Sequence, residues 1–283
     1  MNKGRVLIIV PSFREEKNIF HVISGLRVHV PHLDILIIDD GSKDRTQEIA
    51  ADNGVKVLKH PFNMGYGVAV QTGYKYAVKH DYDIVVQIDG DGQHDPKFIT
   101  PLIRTLQQSR ADVVIGSRFL KGGGYDAPFI RKAGIKFFSK IASVITKQKF
   151  TDSTSGQQAL SRRVFTYFSE LDNFPYDYPD ADTIITLCFA GFKIKEIPVH
   201  MHDRMKGKSM ISGIRVIIYV IQMLISIFII LIRKRKIANG YIQSSINTRP
   251  EVKKSVTKLK IKHKIKPKIK SKHRLLHPRV SLN

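Results

Sequence analysis

The chain has one cysteine, Cys188, among 283 residues. No disulfide can close within it, and a thiol between Leu187 and Phe189 is expected to serve core packing. No signal-peptide core opens the sequence, because Lys3 and Arg5 precede only five apolar residues before Pro11. The body is therefore expected on the cytosolic side. Residues 233–283 almost lack acid: 17 Lys and Arg stand against Glu251 alone, whereas residues 1–232 hold 30 basic and 23 acidic residues. A mildly basic body with a strongly basic tail calls for an anionic partner, either membrane lipid or nucleic acid. Residues 258–272 alternate Lys with mostly apolar residues but contain no Phe, Tyr or Trp on which bases could stack, which disfavours nucleic acid. Adjacent like charges and Pro267 predict a disordered, extended tail rather than a strand. Next to a membrane, each basic residue would add about 1 kcal/mol of attraction to anionic lipid.

Residues 216–232 are 17 consecutive positions without a charge, bracketed by Arg215 and by Arg233-Lys234-Arg235-Lys236. That is at the lower limit for a helix crossing a bilayer, and a helix apolar all round is no ordinary soluble surface helix. A span would carry the basic tail out of the cytosol, against the positive-inside tendency. The expectation is a helix lying in or re-entering the inner membrane interface, alone or in a homo-oligomer. The expected organisation is a body over 1–210, a membrane helix over 211–236 and a polybasic tail over 237–283.

The body alternates short apolar runs with helical patterns. Strands are predicted over 5–10, 33–38, 55–58, 84–88 and 111–115, with a further one within 192–199, and Pro11 is expected to end the first. Helical spacing fills the gaps and covers 130–146. This predicts an α/β fold, a mostly parallel sheet with helices on both faces. Ligands of such sheets bind beyond the carboxyl ends of the strands. Glu15 follows the first strand, Asp39 and Asp40 close the second, and Asp89 and Asp91 close the fourth.

The richest stretch is Ile84-Val85-Val86-Gln87-Ile88-Asp89-Gly90-Asp91-Gly92-Gln93-His94-Asp95-Pro96. In extended chain Asp89 and Asp91 point the same way, and two such carboxylates repel unless a cation or a shared proton compensates. A hard ion, Mg²⁺ or Mn²⁺, held by one or two carboxylates and a substrate's phosphates suits this pattern, and Gly90 allows close approach. An ordinary acidic turn would read the same in isolation. Gly65-Tyr66-Gly67 is a weak phosphate-loop lookalike, explained equally by a helix start packed closely on the sheet. Gly122-Gly123-Gly124 predicts a mobile loop after Arg118, and Arg118 with Arg131 offers planar cations suited to phosphate oxygens. A second acidic cluster, Asp177, Asp180 and Asp182, precedes a helix, where acids also favour an N-terminus.

Taken in order, Val10-Pro11-Ser12-Phe13-Arg14-Glu15-Glu16, Ile38-Asp39-Asp40-Gly41-Ser42, Asn63-x-Gly65-x-Gly67, Asp89-Gly90-Asp91-x-Gln93-His94-x-Pro96, Gly116-Ser117-Arg118, Asp152-x-x-Ser155-Gly156 and Arg204-x-x-Gly207-x-Ser209 resemble the family 2 glycosyltransferases of the GT-A (Rossmann-like) fold. The nearest resemblance is to the polyprenyl-phosphate hexose synthases, dolichol-phosphate mannose synthase among them, and it spans roughly residues 5–210. It implies that Pro11, Phe13, Glu15, Asp40, Gly90 and Arg204 bind a nucleotide-sugar donor. It implies that Asp89, Asp91 and Gln93 hold the divalent ion, and that Arg118 and Arg131 bind the phosphate of a polyprenyl-phosphate acceptor. Arg118, Asp89 and Asp91 would then be the catalytic residues. Three positions depart from the pattern: Arg14 stands where Asn is common, Met210 where Lys ends Gly-x-Ser-Lys, and Ile135 where the mannose synthases have Ser.

Transfer to a lipid phosphate needs alignment and charge screening rather than a strong base, because the nucleophile is already an anion. A glycan hydroxyl would need a carboxylate base, for which Asp177, Asp180 and Asp182 are the candidates. The expectation is a metal-dependent inverting hexosyltransferase at the cytoplasmic face of the cell membrane, using UDP- or GDP-sugar. The alternatives are transfer to a cell-surface glycan hydroxyl and a non-catalytic polybasic membrane- or nucleic-acid-binding protein.

Overall fold

The computed structural model describes residues 4–126, 128–170, 173–176, 179–203 and 214–248, with side chains in the last stretch described over 216–234. Arg204, expected at the donor, Asp177, a candidate base, and residues 249–283 of the expected disordered tail lie outside the described residues, whereas residues 237–248, expected to open that disordered tail, belong to the helix Ile214–Thr248. The chain divides into two compact units, Met1–Tyr241 and Ile242–Asn283, and every described strand belongs to the first.

The element order is β1 (Val6–Ser12), α1 (Ile19–His29), β2 (Asp34–Asp39), α2 (Thr46–Asp52), β3 (Lys56–Lys59), α3 (Tyr66–Lys79), β4 (Ile84–Gln87), α4 (Ile99–Gln108), β5 (Val113–Ser117), β6 (Gly124–Tyr125), α5 (Phe129–Thr146), β7 (Gln158–Ser161), α6 (Arg162–Ser169), α7 (Ala181–Phe189), β8 (Ile194–Pro198), β9 (His200–Met201) and α8 (Ile214–Thr248). Seven strands form one sheet in the order β3-β2-β1-β4-β7-β5-β8, parallel except for β7, which runs antiparallel to both neighbours.

The strand alternation explains both faces. Leu7 and Ile9 of β1 enter the core beneath α3, α6 and α7, whereas Val6, Ile8 and Val10 enter the core beneath α1 and α4. A strand buried on both sides has to be apolar throughout, and β1, β2 and β4 are nearly so.

Within residues 4–203 the structure departs from the sequence expectation at four places. Pro11 does not end β1, which runs on to Ser12 paired with Asp39. The carbonyl of Pro11 accepts from Gly90 N, so the residue faces beyond the end of β4, where no strand needs its missing N–H. The inserted strand β7 has no counterpart among the predicted strands. It has four residues with polar ends, and its antiparallel place between β4 and β5 is set by partners far away in sequence. The glycine run is pinned at its end, because Gly124-Tyr125 pairs with His200-Met201. Finally, Gly67 makes its close approach to the backbone of Pro175 and Tyr176 rather than to the sheet. The contact between α3 and the sheet is made at Gly73, against Ile9.

Arg14 adopts a left-handed conformation, φ 58°. Asn tolerates that region far better than a long side chain does. Arg14→Asn is therefore expected to stabilise the fold by about 0.5–1 kcal/mol, read as a higher denaturant midpoint at unchanged slope.

Candidate active site

Because β1, β2 and β4 are parallel neighbours, their carboxyl ends deliver Glu15, Asp39, Asp40, Asp89 and Asp91 to one edge. Asp89 is the most tightly placed. One carboxylate oxygen accepts from the Tyr66 hydroxyl at 2.6 Å, and the other lies 2.9 Å from His94 Nε2. A Cβ on Gly156 would stand 2.8 Å from that carboxylate, so glycine is needed there for space. Burial pushes the Asp89 carboxyl up, but the His94 charge and the hydrogen bonds from His94 and Tyr66 outweigh it and hold it below the ordinary range. The same pairing, against burial, lifts His94 above the usual imidazole range. Tyr66 is itself steadied by Gln87 Nε2 at 3.0 Å.

Asp91 Oδ1 accepts from Gln93 N at 3.0 Å. The Gln93 amide nitrogen reaches the His202 carbonyl at 3.2 Å, which leaves the amide oxygen as its ligand-type atom. Among the described residues no group of three or more His, Cys, Asp or Glu is arranged to hold a metal by itself. Two carboxylates and an amide oxygen instead fit an ion that completes its shell with phosphate oxygens and water.

The expected donor-side residues divide in two. Asp40 is buried and committed internally, accepting from Met64 N at 2.8 Å, Gly65 N at 2.9 Å and His60 Nδ1 at 2.7 Å. It holds the turn that opens α3. Glu15 is likewise buried, with Oε2 accepting from Asn18 Nδ2 at 2.6 Å. Asp39, in contrast, is fully buried with one oxygen accepting from Ser42 N, while Oδ2 has no hydrogen-bond partner and lies 3.7 Å from Lys59 Nζ. Pro11 and Phe13 flank the same edge, with the Arg14 guanidinium 5.1 Å from the Phe13 ring centre. A Cβ on Gly90 would overlap the Ser12 side chain.

Arg118 is buried and paired with Asp152. Its Nε and Nη2 reach the two Asp152 oxygens at 2.6 and 2.7 Å, and Nη2 also reaches Thr154 Oγ1. Its plane lies 4.9 Å from the Tyr125 ring centre. Asp152 is held in turn by its own N–H on Glu196, and burial raises the Glu196 carboxyl. Arg131 sits on α5 with Nη1 3.0 Å from the Tyr125 hydroxyl, so the two predicted arginines meet across one aromatic ring.

Sequence reading missed the partners Tyr66, His94, Asp152 and Thr154. The Asp152-x-x-Ser155-Gly156 motif was the available signal for two of them, but its ion pair with Arg118 bridges 34 residues. It also missed the coupling of the second acidic cluster to α8. Asp180 Oδ2 accepts from the Tyr219 hydroxyl, and Asp182 Oδ2 from Ser226 Oγ at 2.7 Å. Burial pushes the Asp180 carboxyl up to about 7, opposed by Tyr219 and aided by the Asp182 charge. Its folded pKa then lies above the unfolded value, so the native state binds the extra proton and this contribution falls as pH rises from about 4 through 7. Asp180→Asn should therefore gain stability relative to the parent on going from about pH 5 to about pH 8, measured by urea unfolding at each pH. Tyr219→Phe, which removes a hydrogen bond to the anion, should steepen the parental fall.

Known proteins resemble this chain in sequence and in fold. The sequence model of glycosyl transferase family 2 matches residues 7–168. The undecaprenyl-phosphate mannosyltransferase of Micrococcus luteus is 30% identical over 217 residues, covering 74% of this chain and 88% of the relative. The polyprenol monophosphomannose synthase of Mycolicibacterium smegmatis is 28% identical over 218 residues, covering 74% and 82%. In fold, glucosyl-3-phosphoglycerate synthase of Mycobacterium tuberculosis, crystallised with Mn²⁺ and UDP-glucose, superposes with a TM-score of 0.54 at 23% identity, covering 74% of this chain and 73% of that one. The chain therefore belongs to glycosyl transferase family 2 and is a glycosyltransferase, with the parallel-sheet edge carrying Asp89 and Asp91 as its candidate active site.

Proposed function

We propose that the protein moves a hexose from a UDP- or GDP-sugar to a polyprenyl phosphate at the cytoplasmic face of a membrane, with inversion and with a divalent ion on the donor diphosphate. Two relatives matched over most of their length are named a polyprenol monophosphomannose synthase and an undecaprenyl-phosphate mannosyltransferase. One observation favours an acceptor that is already an anion. The described carboxylates that could serve a hydroxyl acceptor as base, Asp180 and Asp182, are bonded to α8 through Tyr219 and Ser226.

Asp89 and Asp91, with the Gln93 amide oxygen, would hold Mg²⁺ or Mn²⁺. Such an ion, when bound, would supply Lewis-acid stabilisation of the departing diphosphate. The chain's own residues do the rest. Tyr66 and His94 lock the Asp89 carboxylate in one orientation before donor arrives. Asp39 Oδ2, a buried acceptor lacking a hydrogen-bond donor, suits an N–H of the nucleobase, while Asp40 and Glu15 shape the walls around Pro11 and Phe13. Gly90 makes room for the Ser12 side chain at the end of β1 rather than for the donor, and Arg204 would cover the donor. Arg118 Nη1, which is not bonded to Asp152 and lies 3.3 Å from Met201 Sδ, would turn to the acceptor phosphate, with Arg131 framing it around Tyr125. The basic tail adds attraction to anionic lipid.

Full-length protein, labelled UDP- or GDP-hexose, Mn²⁺ and a polyprenyl phosphate should yield an organic-soluble, lipid-linked sugar, lost on adding a chelator. Transfer only to a glycan hydroxyl, with none to lipid phosphate from either donor, would overturn this reading.

A further inference from the structure

The helix α8 is long and apolar enough to cross a membrane, by length and composition, over Val216–Lys234. Its docking on the catalytic body is at odds with crossing. One stripe of the helix turns inward: Tyr219, Met223, Ser226 and Ile230, at spacings of three and four, with Ile227 beside Ser226. Met223 and Ile227 are buried in the same core cluster as α7 residues Ile184 and Ile185. At its start, the Tyr219 hydroxyl bonds Asp180 and the Tyr219 ring stands 6.0 Å from that of Phe138. In the middle, Ser226 bonds Asp182. At the far end, Lys234 Nζ lies 4.6 Å from the ring centre of Phe189, the last residue of α7. The two ends of the apolar segment thus rest on the two ends of one nine-residue helix.

A helix crossing the hydrocarbon core has to traverse about 30 Å with its ends on opposite faces. If α8 did so while docked, α7 would be carried into the hydrocarbon with it. Asp180, the residue that precedes α7, belongs to the neighbourhood of Arg118 and Asp152, whose charges act on it. Leaving the body instead would break the bonds to the buried Asp182 and the half-buried Asp180 and expose Met223 and Ile227. The outer face remains apolar and uncovered: Ile221, Leu224, Ile225, Phe228 and Ile232 are all exposed, Ile232 at 69%. That combination, an inner stripe bonded to a soluble body and an outer face of aliphatic and aromatic residues followed by Arg233 and Lys234, fits a lipid surface.

Resting on the membrane-attached reading above, we propose that α8 lies along the bilayer surface rather than across it, latched to α7 through Tyr219–Asp180 and Ser226–Asp182, with its outer face in the lipid. Body and tail then stay on the same side, and the basic tail falls on the leaflet that attracts it.

The test uses the full chain expressed in a bacterium, with Cys188→Ala as background and single cysteines introduced by Lys75→Cys in the body or Lys236→Cys beyond the apolar segment. A membrane-impermeant maleimide is applied to intact spheroplasts and again after permeabilisation. The expected result is a membrane-bound protein in which both positions behave alike, labelled only after permeabilisation. Labelling of Lys236→Cys on intact spheroplasts while Lys75→Cys stays protected would establish a span and overturn the proposal. It would leave the membrane-attached enzyme standing. Recovery of the protein in the soluble fraction would remove the membrane reading and this inference together. Trypsin added outside intact spheroplasts checks the unaltered protein: the lysine-rich tail should survive, and its trimming would again mean a span.

Discussion

Asp89→Asn and Asp91→Asn are expected to lower kcat by at least about 10²–10³-fold, the cost of removing one preorganised electrostatic contact to a developing charge. The two variants should differ in a telling way. Asn at 89 keeps the shape and can still meet Tyr66 and His94, but it loses the negative charge that lifts His94. The His94 pKa should therefore fall in Asp89→Asn, where burial acts without the opposing carboxylate, and NMR titration of the imidazole would read it. In Asp91→Asn the fall should be smaller, since Asp91 acts on His94 more weakly than Asp89 does. Both variants should melt close to the parent, so that lost turnover is assigned to the site and not to unfolding. Turnover within a few-fold of parental for both would exclude these carboxylates from the chemistry.

The largest stability effect is expected at Asp152. Its side chain is fully buried and carries a bidentate pair with Arg118, itself 7% exposed. Asp152→Ala leaves a guanidinium in the interior without its counter-ion, and breaking such a pair costs about 3–5 kcal/mol. The loop over 151–156 also loses its anchor, because the Asp152 oxygens accept from the Arg118 backbone N–H as well as its side chain. Arg118→Met with Asp152→Leu should recover much of the stability, since well-packed apolar replacements of a buried pair are often neutral. It should not recover transfer, because under the proposed function Arg118 faces the acceptor phosphate. A double variant that regained both would show the pair to be structural only. Equilibrium unfolding and product formation, measured on the parent, each single variant and the double variant, separate these outcomes.

The recurring apolar and acidic pattern made much of the sheet legible. Strands β1, β2, β4 and β5 are nearly continuous apolar runs buried on both faces, so composition alone marks them. The helices that alternate with them dictate parallel neighbours, and parallel neighbours dictate that acids following each strand gather at one edge. The partners of those acids were not legible. His94 is only five residues from Asp89 and could have been suspected, but Tyr66 comes from the start of α3 and Asp152 from a turn beyond α5. The Asp39-Asp40 pair shows the same limit at single-residue scale. Adjacent strand-end carboxylates look equivalent in sequence, yet in the fold one holds a turn with both oxygens while the other keeps a buried oxygen without a hydrogen bond.

Sequence by itself determined the α/β class, the family, the acidic edge, and the existence of one long apolar segment before a basic tail. These are encoded locally, in periodicity, in strand-end residues and in charge per segment. Tertiary structure alone decided where β7 inserts, which arginine is neutralised by which carboxylate, and that the apolar helix is bonded through Tyr219 and Ser226 to Asp180 and Asp182. Each of those depends on groups tens of residues apart meeting with hydrogen-bond geometry, and a burial pattern records that a side chain is inside without recording what it touches.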